Sequence, residues 1–347
     1  MLPVSNMRGS KRLIVFATLL TALAVYCLSS SFSNSQHISS TTCHEARSLN
    51  QHTEQQDDAS YYLNLNGLNS SVDARAKGER LLVLTTLKNA SQHLERYFTL
   101  LDKTTYPNEL ISIGLLVTDS QDGTLEALEP LVANLQSRWS NRFSEINVFS
   151  RDYKTEIPLS SEGSPIEQEP YRRSVLARAR NFLLASALRD YHSWVAWLDA
   201  EMYDYPPTIF EDLMEADVDV IVPNTLKYRE DYSFWAHDRN NWAETDYSLE
   251  IQKNVGEDYL LTEGYSEMPT GRYLLVDMPT HFGKEHKVPL DAVGTSFTLV
   301  KGHVHREGAN FPAFAYRHQV ETEAFGKVAK AMGFTVYGIP GYIVYHL

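Results

Sequence analysis

Cysteine is scarce in this chain of 347 residues, which contains only Cys27 and Cys43. Both precede the predicted globular part, so that part has no internal disulfide and no thiolate metal site. Positive charge is also in deficit, because the formal net charge is −13 and the isoelectric point is near 5.4. Proteins that bind nucleic acids generally carry a basic surface, so no nucleic-acid partner is expected. A local basic pocket for a phosphorylated ligand is still compatible with this balance.

Two glycine-rich phosphate loops are missing as well. The sequence has neither the fingerprint of dinucleotide-binding folds nor the Walker loop of ATPases. Ordinary NAD or ATP chemistry therefore has little support. Hydrophobic residues, in contrast, make up 43% of the chain and aromatic residues 11%, which is ample for a packed core.

The N-terminus has the pattern of an entry signal for the secretory pathway. Arg8, Lys11 and Arg12 precede an uncharged apolar run over residues 13–28, and polar sequence follows. This run is short for an average bilayer, and it fits either a cleaved signal peptide or an uncleaved anchor in a thin membrane. We favour a single-pass type II anchor, with residues 1–12 as a cytoplasmic tail, because no Ala-x-Ala cleavage site follows.

A polar stretch without periodicity, residues 29–77, comes next and is interpreted as a flexible stem. Residues 78–347 are then the globular domain. Two N-glycosylation sequons begin at Asn69, within the stem, and at Asn89, just after the first predicted strand. Sequons are short and often unused, so they do not decide the function.

Strands and helices alternate in the globular part. Continuous apolar runs at residues 80–87 and 111–118 predict buried strands, and a helical pattern follows each of them. A third strand is predicted at residues 146–149. Such alternation is typical of βαβ units, so we predict an α/β fold with a mostly parallel sheet.

An acid-x-acid triplet, Asp199-Ala200-Glu201, ends an apolar run that starts at Trp194. Residues two apart on a strand share a face, so Asp199 and Glu201 should point the same way. Two carboxylates at the C-terminal end of a strand suit a hard divalent cation that carries a diphosphate. The competing interpretation is a strand end with two solvated acids, because such triplets are common.

An arginine-rich helix precedes that strand. Four arginines fall within residues 172–180, and the helical pattern places Arg178 and Asn181 together, away from the apolar stripe. Arginine forks suit phosphate and ribose oxygens, although a solvated basic face has the same pattern. The position directly upstream of the acid triplet favours ligand binding.

A predicted helix near the C-terminus carries Glu321 and Glu323. Glu323 stands four residues before Lys327, which is the spacing of an ordinary exposed ion pair. Glu321 lies nearer the buried side, and it is therefore the better candidate to face a cleft. Upstream of this helix, Gly294 would permit close approach of the backbone to a ligand.

His346 belongs to a final apolar run. A lone histidine is more often structural or solvated than a ligand. If the run returns to the sheet, however, a neutral imidazole would complete a metal site with Asp199 and Glu201.

Taken together and in order, several blocks of residues resemble one family, the fungal mannan polymerase subunits of glycosyltransferase family 62. The resemblance covers roughly residues 80–347, which is more specific than any single motif. The similar blocks are 178–184, 193–195, 199–201, 206–208, 212–214, 219–224, 290–301, 320–327 and 342–346.

The resemblance implies a type II membrane protein of the Golgi, with the endoplasmic reticulum as an alternative location, whose lumenal domain has a single GT-A fold. Members of the family transfer α-mannose from GDP-mannose to N-linked mannan with retention, use Mn²⁺, and work in complexes with related subunits. Asp199 and Glu201 match the metal-binding Asp-x-Asp positions, and His346 matches the C-terminal ligand. By the same resemblance, the nucleotide side comprises Leu84, Thr85, Thr86, Asp119, Arg178, Asn181 and Asp199.

Glu201 departs from the family pattern, which usually reads Asp-Ala-Asp. Its additional methylene keeps an oxygen ligand but shifts it by about one bond. Two alternatives therefore stay open: a non-catalytic or weakly active assembly subunit, and a GT-A enzyme that uses another nucleotide sugar. If transfer occurs, Glu321 or Asp291 would position the acceptor or stabilise the oxocarbenium-like state, and the sequence identifies no base or nucleophile.

Overall fold

The computed structural model describes residues 62–154, 166–265 and 268–347. The predicted tail and anchor and the stem up to residue 61 lie outside these ranges, so the anchor stays a prediction. Within the described ranges, no helix is both long and apolar enough to cross a bilayer.

Eleven strands are assigned in the described ranges, and nine of them form one sheet. The others, β7 and β8, pair with each other. The strands are β1 (Arg80–Leu87), β2 (Ile111–Val117), β3 (Glu145–Ser150), β4 (His192–Leu198), β5 (Met202–Asp204), β6 (Val220–Lys227), β7 (Trp242–Ala243), β8 (Tyr273–Leu274), β9 (Val288–Pro289), β10 (Phe297–Lys301) and β11 (Val336–His346).

The helices cover both faces of this sheet. They are α1 (Ala74–Lys77), α2 (Leu94–Asp102), α3 (Thr124–Gln136), α4 (Glu169–Ala187), α5 (Ile209–Met214), α6 (Asp246–Lys253), α7 (Gly302–Arg306) and α8 (Glu321–Ala331).

Strand β1 shows why the apolar runs form strands that are buried on both sides. Leu81 and Val83 enter the core under α2, α3 and α5, whereas Leu82 and Leu84 enter the opposite core under α4 and α8. Because side chains alternate along a strand, only a continuous apolar run can fill two cores at once. The predicted α/β architecture with a central sheet is confirmed.

The sheet is mixed but mostly parallel, as predicted: six strands (β1, β2, β3, β4, β6 and β11) run in one direction, and three (β5, β9 and β10) run in the other. Its order is β3-β2-β1-β4-β10-β6-β11-β5, with β9 beside β11. The first four strands are parallel, but β10 is antiparallel to both of its neighbours. β10 begins beside Leu198, the last residue of β4, so it enters the sheet from the edge where β4 leaves it.

The end of the predicted stem is folded. Ala74 of α1 is fully buried, and the Ser70 hydroxyl donates to the Ser193 carbonyl at 2.6 Å. The backbone N–H and the hydroxyl of Ser71 both donate to the Glu79 carboxylate, at 3.0 and 2.6 Å. The packed part of the chain therefore begins before residue 78.

A buried ionic cluster joins α4 to α8. Glu323 is 1% exposed, and its Oε1 accepts a hydrogen bond from Trp242 Nε1 at 2.8 Å. The same oxygen lies 3.4 Å from Arg272 Nη1, while Oε2 pairs with Arg173. One carboxylate thus contacts two guanidinium groups and an indole in the interior.

The prediction of an exposed ion pair between Glu323 and Lys327 is wrong, because both side chains are buried. Lys327 is 8% exposed, and its Nζ instead lies 2.7 Å from Glu244 Oε1. Segments distant in sequence cover this side of α8, and a helical pattern carries no information about such coverage.

We expect Glu323→Ala to lower the free energy of unfolding by about 3–5 kcal/mol, because Arg173 and Arg272 would be left buried without their shared partner. The matched control is Glu250→Ala, which removes an exposed pair with Lys253 and should cost about 1 kcal/mol at most. Urea unfolding of the two variants measures the difference. Equal losses would contradict a central role for this carboxylate.

Candidate functional site

The acid triplet lies in a turn between β4 and β5. The Asp199 N–H donates to the Ser296 carbonyl at 3.0 Å, and the Met202 N–H points back to the Asp199 carbonyl at 3.4 Å. Strand β4 has already ended, so the alternation that we used to align the two acids does not apply. Asp199 is partly buried, whereas Glu201 is exposed.

Strand β11 brings His346 to Asp199. It runs between β6 and β5, and His346 is paired with Lys227 and Met202. His346 Nε2 lies 3.8 Å from Asp199 Oδ2. The next residue, Leu347, donates its N–H to the Glu201 carbonyl at 3.0 Å. The expected return of the final apolar run is therefore observed, and the role of His346 as a ligand remains a prediction.

The loop after β6 contributes Asp238, which we did not single out in the sequence, and places His237 beside it. The N–H groups of both residues point to the Thr225 carbonyl at 3.2 and 3.3 Å. The His237 ring stacks on His346, with ring centroids 3.6 Å apart, and Asp238 is buried. The only sequence signal was an irregular stretch too long for a simple connection.

Gly294 makes room for Asp238. A Cβ atom at position 294 would collide with the Asp238 carboxylate, and the Gly294 N–H donates to Asn241 Oδ1 at 2.8 Å. The close approach that we expected at this glycine is thus made by a carboxylate of the protein.

Three carboxylates, those of Asp199, Glu201 and Asp238, lie near this edge of the sheet, and we name them the acid cluster. The pKa of Asp199 is raised to about 6, mainly by burial and in smaller part by the nearby charges of Asp238 and Glu201, while the charges of His346 and Arg180 lower it. Burial also raises the pKa of Asp238. Ionising these acids costs free energy, so the site favours a bound proton or cation.

Arg180 is the arginine that faces the site. It is buried, pairs with Glu321, and donates from Nη2 to Thr295 Oγ1 at 2.7 Å. Its charge lowers the pKa of Asp199. We overlooked Arg180 because α4 is covered on more sides than its apolar stripe predicts.

The two residues that we selected on α4 have other contacts. Arg178 is exposed, and its guanidinium lies 5.2 Å from the Tyr153 ring centroid. The Asn181 amide clamps the backbone of Phe311, since Nδ2 donates to its carbonyl at 2.6 Å and Oδ1 accepts its N–H at 3.0 Å. Both ends of that amide are engaged within the protein.

The C-terminal end of β1 is hydrogen-bonded to the end of β4 and so supports the site. Thr85 is buried, and its Oγ1 donates to the Leu198 carbonyl at 2.7 Å, which fastens β1 to the end of β4. Leu84 is fully buried in the core, whereas Thr86 is partly exposed. Of these three predicted nucleotide-side residues, Thr86 retains an accessible side chain.

Asp119 organises a loop at the end of β2. It has a positive φ of 44°, and its Oδ1 accepts the N–H groups of Tyr153 and Lys154 at 3.1 and 2.9 Å. The family resemblance places Asp119 on the nucleotide side, and the structure shows that it holds the loop at Tyr153 and Lys154.

The two predicted acceptor-side acids differ in their connection to the site. Glu321 pairs with Arg180, whose charge lowers the pKa of Asp199. Asp291 pairs with Lys330, and its Oδ2 accepts the Glu244 N–H at 2.7 Å. The structure therefore brings Glu321 towards the acid cluster and ties Asp291 to α8.

The predicted metal ligands are assembled only in part. Across the described ranges, no three His, Cys, Asp or Glu side chains are grouped closely enough to hold a metal ion. Asp199 and His346 supply a carboxylate and an imidazole, which are suitable donors for a divalent transition metal. Glu201 would have to turn inward from its exposed position to join them.

The sequence model of the Anp1 family matches residues 59–315. The chain belongs to the Anp1 family. Among the relatives of this Anp1-family chain is the mannan polymerase II complex anp1 subunit of Schizosaccharomyces pombe, which is 38% identical over 276 residues. That match covers 78% of this chain and 64% of the relative, so the chain spans less than two thirds of that subunit. The mannan polymerase complex subunit mnn9 of the same organism is 35% identical, with 81% and 84% of the two chains covered.

These relatives confirm the resemblance to the mannan polymerase subunits. Among solved structures, a mannosyltransferase from Pyrobaculum calidifontis in complex with GDP-Man and Mn²⁺ is similar with a TM-score of 0.45 and 11% identity. The alignment covers 81% of the Anp1-family chain and 59% of the other. This likeness is too slight to bear on fold or function.

We expect Asp199→Asn to raise the melting temperature of the metal-free protein by no more than about 2 °C at pH 7.5, because the side chain is 36% exposed and solvent screens part of the cost of its charge. The Asp199 pKa of about 6 lies above its usual value, so the ionised carboxyl destabilises the folded state above pH 6. That cost disappears as the pH falls from 6 towards 4, where the folded state alone is protonated.

The advantage of the asparagine variant should therefore shrink over the same interval. Scanning fluorimetry with a chelator measures this, and Asp258→Asn, at an exposed position, is the control. A difference that does not change with pH would argue against the raised pKa.

Proposed function

We propose that this Anp1-family chain is a Golgi mannosyltransferase with a GT-A fold. It transfers α-mannose from GDP-mannose to N-linked mannan with retention, extends the α-1,6-linked backbone, and works with related subunits. The observation that carries the proposal is the meeting of Asp199 and His346 at the end of β4, the edge at which open α/β sheets bind ligands. The names of the relatives support mannan as the product, and the predicted anchor would hold the domain in the lumen.

Asp199 and His346 would hold Mn²⁺, with Glu201 as a third ligand after it turns inward. The raised pKa of Asp199 supports this assignment, because a carboxylate that is costly to ionise gains most from a cation beside it. A bound Mn²⁺ would neutralise the diphosphate of the leaving GDP.

Arg180 and Glu321 would position and stabilise the reacting sugar. Arg180 is held between Glu321 and Thr295, so its charge is fixed in direction before any ligand arrives. Preorganised charge of this kind stabilises a transition state without reorganisation. Fixing the acceptor hydroxyl near the anomeric carbon would supply the remaining effect.

We expect Asp199→Ala and His346→Ala each to weaken Mn²⁺-dependent GDP binding at least about tenfold and to abolish transfer from GDP-mannose to a mannose oligomer. His303→Ala, which removes a histidine whose side chain is 40% exposed, is the control and should keep both properties. Calorimetry and product analysis measure the two effects. If both alanine variants keep full turnover, the metal assignment is wrong.

A non-catalytic assembly subunit is the second candidate. The observation that favours it is the exposed side chain of Glu201, together with the lack of a preformed set of three ligands in the described ranges. Such a subunit would co-purify with its relatives but would neither bind GDP with Mn²⁺ nor consume the donor. A thermal-shift screen of GDP-, UDP- and CMP-sugars, with and without Mn²⁺, also separates a transferase that uses another donor.

Glu201→Asp tests the choice between the two. If the chain is a transferase that tolerates the longer acid, the substitution should change turnover by no more than about threefold, because one oxygen ligand replaces another. If the chain is an assembly subunit whose site has degenerated at this position, the aspartate should create Mn²⁺-dependent donor turnover that the parent lacks. Initial rates at fixed protein concentration decide between these outcomes.

A further inference from the structure

Four tyrosines form one continuous cluster beside the candidate site. Tyr203 and Tyr228 are stacked, with centroids 3.4 Å apart and planes inclined by 11°. Tyr232 meets Tyr228 edge-on at 5.5 Å and Tyr345 at the same distance. We name these four residues the tyrosine cluster.

The cluster is rigidly supported yet exposed at its outer side. The Arg96 guanidinium lies 4.4 Å from the Tyr203 centroid and backs the stacked pair. Tyr232 is 59% exposed, and Trp235 on the same loop is 55% exposed. Tyr232 also has a positive φ of 50°, a conformation that a bulky residue adopts at a cost and that commonly marks a functional position.

The chain ties this surface directly to the acid cluster. Tyr203 follows Glu201 by two residues, and Tyr345 precedes His346. The Tyr228 N–H donates to the His346 carbonyl at 2.6 Å. Tyr345 and His346 project from opposite faces of β11, so the tyrosine cluster borders the candidate site through the backbone of β11 and through β5, which carries Tyr203.

A cavity continues the surface on the other side of Tyr345. Its volume is about 300 Å³, and Lys103, Asp204 and Ile343 contribute to its lining. This size is at the lower end for small-ligand sites. It combines an ammonium, a carboxylate and an apolar wall, which suits a ligand with both hydroxyl groups and C–H faces.

We propose that the tyrosine cluster and Trp235 form the docking surface for the acceptor, a neutral oligosaccharide. A pyranose ring presents a flat C–H face that packs on aromatic rings, and hydroxyl edges that hydrogen-bond to phenol groups and to polar residues at the rim. Four of the five aromatic side chains carry such a hydroxyl. The inference rests on the proposed function for the fate of the bound glycan, but binding itself does not require transfer.

A protein partner is less well matched to this surface. The centre of a stable protein interface is generally fully desolvated and apolar, whereas here phenol groups and the charged loop residues Glu230 and Asp231 are intermixed, both exposed. The acid cluster adjoins this surface through the backbone of β11, so a bound oligosaccharide would lie near the proposed transfer site.

The test is direct binding of a linear mannotetraose to the full chain, without donor or metal, followed by NMR of the ligand and by tryptophan fluorescence. Trp235→Ala and Tyr232→Ala should each weaken binding about tenfold. The matched control is Trp139→Ala, which removes a completely exposed tryptophan from the loop after α3 and should leave binding unchanged. Melting temperature and GDP affinity, measured alongside, verify that the variants are folded.

The outcomes are distinct. Loss of glycan binding in the Trp235 and Tyr232 variants supports the docking surface even if no transfer is ever detected, in which case only the proposed function fails. Unchanged glycan binding in folded variants, or no binding by the parent chain at millimolar glycan, overturns the inference. Loss of association with co-expressed related subunits, with glycan binding intact, would assign the surface to a protein partner instead.

Discussion

The cost of gathering carboxylates at one edge of the sheet is the constraint on which the rest of this site depends. Burial disfavours the charge of Asp199 and Asp238, and the charges of Asp238 and Glu201 raise the pKa of Asp199 further than burial alone would. The positive charge of Arg180, which pairs with Glu321, offsets part of this cost. An acidic site that is only partly neutralised by its own protein is prepared for a ligand that brings positive charge.

Ion pairs also stabilise the interior behind the site. Arg173 and Arg272 are buried around Glu323, so the helices that carry Arg180 and Glu321 are locked to each other by ion pairs. Breaking such pairs is costly because each partner is left charged in a poorly solvated place. The candidate site is therefore held in place by buried ion pairs that lie outside it.

Much of the fold was predictable from sequence, because continuous apolar runs identify strands buried on both faces. The return of His346 was also predictable, since an apolar run has to rejoin the core. Asp238 was not, because an irregular loop has no period from which its direction can be read. The burial of Arg180 and Glu323 was not predicted for a related reason: periodicity describes one helix, and their burial is decided by segments far away in the chain.

The backbone of Glu201 is anchored although its side chain is free. Its carbonyl is held by the Leu347 N–H, while the carboxylate extends into solvent. Aspartate and glutamate codons differ at one base, so a single mutation can lengthen or shorten this side chain without disturbing the fold around it. Such a change alters the reach of the carboxylate by one methylene while the backbone contact between Glu201 and Leu347 stays in place.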